Sequence, residues 1–197
     1  MAEHIGFDVD TINVHFVEGV ISFEQLEEQL RAEIAGTGDD GATLIIIDTS
    51  ASYFEGIDEN SNPIMGAYAR RLRRFTTFPG GPTVLVACHP IKNAGPDNLL
   101  PRGGGAFLAE VDGNLTATRS DTIVTLHWLG KFRGADFDPI PLELRSVTAE
   151  RLTDRKGRAI RTVMAADMMA AVDIAVATGL PMVAHAQATT GTGFFCI

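Results

Sequence analysis

Two short runs of almost wholly apolar, β-branched-rich residues decide most of what this chain can become: TLIIID at 43–48 and TVLVA at 83–87. Runs of this length without polar alternation read as strands buried on both faces, the pattern of a parallel sheet covered by helices. Between them Ile64, Tyr68, Leu72 and Phe75 recur at helical spacing, and FPGGP at 78–82 ends that helix. Upstream, residues 12–17 alternate as a strand should. Ser22 and Gln25 then have the form of a capping box ahead of Phe23, Leu26, Leu30 and Ile34, so a helix is predicted over about 23–35, stopped near Gly36. The first 90 residues therefore read strand, helix, strand, helix, strand, which predicts a parallel sheet with right-handed crossovers.

After a loop rich in Pro, Asn and Gly at 90–105 the pattern changes. Residues 114–118, 123–129, 140–147 and 160–164 are strand-like with turn signals between them at 119–121 and 154–157, so the second half is predicted to extend the sheet in antiparallel fashion. Residues 164–178, rich in Ala and Met, are predicted to be helical. Residues 179–197 show neither period and are predicted to hold no regular element. The expected organisation is one α/β domain over 1–165 followed by a helix and irregular tail over 166–197.

The chain has 197 residues with a formal net charge of −9, which argues against a surface that coats duplex DNA or anionic membrane as a whole, while leaving local basic patches open. Its apolar runs fall far below the roughly 18 residues of a membrane span, no basic and apolar leader opens it, and Cys88 and Cys196 lack metal or redox spacing. The expectation is a cytoplasmic protein with no membrane partner.

In open α/β sheets ligands gather beyond the carboxyl ends of the parallel strands, which draws attention to Asp48 after one run and His89 after the next. A carboxylate held by a rigid strand suits a Mg²⁺ site against phosphates, and equally suits a simple cap on the following loop. Lys131 and Arg133 stand one residue apart at the end of a strand, where both would project to one face and reach a phosphate, or else be a solvated strand end. Arg70, Arg71, Arg73 and Arg74 form a helix face open to solvent or to a nucleic-acid backbone. The D-x-[DN]-x-[DN]-G spacing of a Ca²⁺ loop is missing around Asp58, Glu59 and Asn60, and no G-x-S-x-G elbow surrounds Ser50 or Ser52.

Read together, LIIIDTSASYFEGIDENSNPIMGAYARRLRRF, TVLVACHPIKN, PRGGGAFLAEVDGNL and GKFRGADFDP resemble the RepA-like hexameric replicative DNA helicases and related phage-type AAA ATPases of the RecA fold, over about residues 5–145. The resemblance implies a RecA-like P-loop NTPase sheet, ATP as substrate with Mg²⁺, a homo-oligomeric ring and single-stranded DNA as partner. It makes Asp48 the acidic metal-site residue with Thr49 beside the nucleotide, His89 the polar sensor near the γ-phosphate, and Arg102 a candidate arginine finger. It also likens Lys131 and Arg133 to the finger strand of ring-shaped relatives. The chain departs from that pattern in two respects: a P-loop needs G-x-x-x-x-G-K-[ST], and none of Lys92, Lys131 and Lys156 stands in that setting; and the catalytic Glu that the family carries at the end of the strand after its P-loop helix has no counterpart here. The chain is therefore expected to be the carboxyl-side part of such an ATPase, incomplete at the N-terminus. A non-catalytic RecA-like module that docks on a partner ATPase is the alternative.

Overall fold

The computed structural model describes residues 13–17, 19, 22–36, 41–91, 93–95, 98–102, 104–167, 183–184 and 193–196. By contacts the chain divides into two units, one of His15–Ala117, His127–Phe137 and Thr192–Ile197, the other of Met1–Val14, Thr118–Leu126 and Asp138–Gly191.

In the first unit helix α1 (Phe23–Gly36) starts as the sequence demands. The Ser22 hydroxyl accepts from the Gln25 amide at 3.2 Å while the Gln25 side chain accepts from the Ser22 amide at 3.0 Å, so two orphan donors are satisfied reciprocally. Strand β1 (Leu44–Asp48) and strand β2 (Thr83–Cys88) pair in parallel, from Leu44 with Thr83 to Asp48 with Ala87. The crossover between them carries α2 (Asn62–Arg73) and a 3-10 turn, Arg74–Thr77. Entry to β1 is tight. A Cβ on Gly41, whose φ is +122°, would lie 2.1 Å from the Pro79 carbonyl carbon, so only glycine fits there.

The core is aromatic. Phe23 and Phe75 stack at 5.2 Å between centroids, Phe75 meets Phe78 edge-on at 5.2 Å, and Tyr68 packs between Phe23 and Phe54. With Ile45, Ile47, Leu72, Val84, Val86 and Phe107 these residues are buried, Phe54 only partly, and they join α1 and α2 to the inner face of β1 and β2.

Helix α3 (Gly104–Glu110) leads into β3 (Gly113–Ser120) and then β4 (Ile123–Phe132), with Asp121 at φ +54° in the turn between them. In the second unit the 123–126 part of β4 pairs antiparallel with β5 (Ile140–Thr153), β5 with β6 (Ala159–Asp167), and β6 with the two-residue β7 (Val183–Ala184). Strand β8 (Gly193–Cys196) belongs to the first unit, where it lies antiparallel to both β2 and β3.

Several expectations need correction. The parallel part of the sheet is the single pair β1–β2, because the other neighbour of β2 is the antiparallel β8; a parallel RecA-like core is not what the described residues form. β1 is buried on one face only: Ile45 and Ile47 pack into the core with the helices, whereas Leu44 and Ile46, on the opposite face, are 50% and 61% exposed. Residues 13–17 are not in a strand, and Phe16 is 83% exposed. Residues 164–167 continue β6 rather than opening a helix, while 168–178 lie outside the described residues. Within 179–197, β7 and β8 are regular elements where none was expected. The antiparallel second half, by contrast, follows the alternating pattern closely.

Candidate functional site at the ends of β1 and β2

Asp48 closes β1 with an exposed side chain, and its peptide bond to Thr49 is cis. The chain then makes one 3-10 turn, Ser50–Tyr53, whose start is fixed from below: the buried Tyr68 hydroxyl on α2 donates to the Ser50 carbonyl at 2.8 Å. Burial pushes the Tyr68 phenol far above its ordinary pKa, so it stays a donor throughout the accessible pH range. His89 follows β2 directly and is exposed. The loop beyond doubles back through a bridge between Pro90 and Pro101 and a bond from the Ile91 amide to the Leu100 carbonyl at 3.3 Å. That return brings Arg102 to the same end of the strands, where its Nη1 donates to Glu59 Oε2 at 2.5 Å.

Ser50, Phe54, Glu59, Cys88, His89 and Arg102 thus wall a cleft of about 30 Å³. That space suits ordered water, not a nucleotide. Asp48 and Thr49 lead straight into the cleft wall, and His89 and Arg102 share it. Lys131 and Arg133 do not line it. Lys131 Nζ donates to the Leu108 and Ala109 carbonyls at 3.1 and 2.8 Å, satisfying the last acceptors of α3, and Arg133 pairs with Asp112 at 2.7 Å. Both cations thus reach the α3–β3 corner, where the Arg133 amide also donates to the Asp112 carbonyl at 3.0 Å.

The arginine row on α2 is engaged within the chain. Arg70 pairs with Glu110 at 2.9 Å, Arg71 with Glu55 at 3.0 Å and Arg74 with Glu27 at 3.1 Å, while Arg73 donates to the Glu110 carbonyl at 3.2 Å. Sequence reasoning missed Glu55, which accepts from the Phe23 amide at 2.9 Å as well as from Arg71. The amide bond, and then Arg71, hold its carboxyl below the usual range. A depressed folded pKa contributes stability that is present above the unfolded value near 4.5 and is lost as pH falls through the folded one. Glu55→Gln should therefore cost about 1 kcal/mol at neutral pH, kept that small by partial exposure, and nothing once both forms are fully protonated. Urea unfolding of both proteins at pH 7 and below pH 4 checks it; a pH-independent difference refutes it.

Among the described residues no cluster of three or more His, Cys, Asp and Glu side chains is placed to hold a metal ion. Mg²⁺ retains waters and needs only one or two carboxylates with phosphate oxygens, and Asp48 offers one exposed carboxylate at this end of the strands. The phosphate side has no cradle, because no P-loop sequence is present. No helix among the described residues is long and apolar enough to cross a membrane.

Residues 14–95 match the family model described as AAA domain. The span holds α1, β1, α2, β2 and both strand-end residues, Asp48 and His89, and it supports an ATPase-like module of the AAA type, a class that generally binds nucleotide and Mg²⁺. No curated protein and no solved structure matches the chain.

Proposed function

We propose that the chain is part of a RepA-like or phage-type DNA helicase, a module that couples ATP hydrolysis to movement on single-stranded DNA within a homo-oligomeric ring. The observation that carries this reading is the placement of Asp48 and His89 at the carboxyl ends of two paired parallel strands, inside the span that matches the AAA domain. Asp48 would hold the Mg²⁺ of the substrate with Thr49 beside the nucleotide, and His89 would sense the terminal phosphate. Arg102 and the pair Lys131 and Arg133 are the candidate fingers. Each is held by an acid or carbonyl of its own chain, so a role toward a neighbour requires those contacts to exchange.

A second reading, a non-catalytic module that docks on a partner ATPase, is favoured by the small cleft and the missing phosphate cradle. Both readings expect the chain alone to bind Mg-ATP weakly or not at all, since P-loop amides and their Lys supply much of the phosphate affinity. Tight binding in a calorimetric titration would overturn that expectation. The readings part when a G-x-x-x-x-G-K-[ST] segment is supplied ahead of the chain by fusion. ATP turnover stimulated by single-stranded DNA supports the helicase, and no turnover leaves the docking module.

A further inference from the structure

The β5–β6 hairpin concentrates positive charge in a chain that is otherwise strongly acidic. Residues 151–161, RLTDRKGRAIR, carry five basic side chains against one acidic, while the remaining 186 residues carry eleven against 24. The turn is well built. Asp154 accepts from the Lys156 and Arg158 amides at 2.8 and 3.0 Å and from the Arg158 guanidinium at 2.7 Å, and Gly157 supplies the φ of +74° that closes the loop. The single acid at the tip is therefore spent on the turn and on Arg158. Arg155, Lys156 and Arg161 are exposed and have no ion pair with any described residue. Behind the tip, Leu152 and Ile160 are 54% and 45% exposed.

We propose that this hairpin is a nucleic-acid contact, with Arg155, Lys156 and Arg161 on the phosphate backbone and the flanking aliphatic side chains against sugars and bases. A two-stranded ribbon is narrow enough to enter the major groove or to lie along a single strand. Four of the five cations in 151–161 are arginines, whose guanidinium pairs bidentately with phosphate. A bilayer surface is the poorer partner, because the tip itself is polar and the apolar residues are set back on the strands. The inference does not depend on the nucleotide site, so it stands or falls separately from the ATPase reading.

The test is fluorescence anisotropy of the full chain with labelled single-stranded and duplex oligonucleotides across a salt series. The triple substitution R155Q/K156Q/R161Q should weaken binding by about 10-fold or more and flatten the log–log salt slope by about 2 to 3. R155K/R161K should bind more tightly than the triple variant and keep the salt slope, because it keeps the charge and loses only the bidentate geometry. Preference between the two oligonucleotides tells which form the hairpin holds. The proposal is overturned if the unsubstituted chain shows no salt-sensitive binding at 50 mM salt, if the triple variant binds with unchanged affinity and slope, or if the substitutions abolish binding to anionic vesicles while nucleic-acid binding persists.

Discussion

Phe75→Ala should lower the unfolding free energy of the unit that holds α1, α2, β1 and β2 by about 4 kcal/mol. Phe75 has no exposed surface, stacks on Phe23 and meets Phe78 edge-on, both at 5.2 Å. Removing the ring forfeits its transfer free energy and leaves a cavity under three elements whose backbones are fixed by the parallel pair and by α2. Phe75→Leu fills most of that volume and should cost about 1.5 kcal/mol or less. Arg74→Ala, next in sequence but on an exposed pair with Glu27, should stay below about 1 kcal/mol. Urea unfolding gives all three. If Phe75→Ala costs no more than Arg74→Ala, the aromatic cluster is not what holds this unit together.

That core was readable because its residues announce themselves by period: Tyr68, Leu72 and Phe75 on one stripe, whose fourth member Ile64 is only half-buried, Phe23, Leu26 and Ile34 on another, and the two apolar runs. What such a run cannot report is how many of its faces the fold covers. TLIIID has the composition of a strand covered on both faces, yet β1 alternates between buried and exposed because only its Ile45 and Ile47 face meets the core. Short elements escaped for a related reason. α3 is seven residues long and begins in a glycine run, and β8 is four residues, too few to display a period. At the candidate site, Asp48 and His89 were legible because each directly follows a strand. The Arg102–Glu59 pair was not, since it joins residues 43 apart through a loop whose return depends on the Pro90–Pro101 bridge. Lys131 and Arg133 were read as neighbours at a strand end, and what the sequence could not show is their partners within the chain, the Leu108 and Ala109 carbonyls for one and Asp112 for the other.

Arg133→Ala in a P-loop-bearing ring should slow ATP turnover by about 10³-fold or more while leaving nucleotide binding nearly intact, if the residue serves as a finger toward a neighbouring subunit. The local structure makes the substitution a clean one. The Arg133–Asp112 pair is more than half exposed on both sides, so its loss should change stability by less than about 1 kcal/mol, and a collapse of turnover cannot then be blamed on unfolding. Lys131→Ala lacks that clarity, because it strips two carbonyls at the end of α3 of their donor and should destabilise by about 1 kcal/mol whatever happens to catalysis. On the proposed function Asp48→Asn should behave differently again, since it would weaken Mg²⁺ placement within its own subunit, where no neighbour could replace it. Rings that mix Asp48→Asn with Arg133→Ala subunits contain some interfaces where an intact metal side meets an intact finger, and those interfaces should recover part of the turnover. Mixed rings as inactive as either parent, with subunit exchange verified by labelled subunits, would remove Arg133 from the catalytic interface and leave it as the surface partner of Asp112.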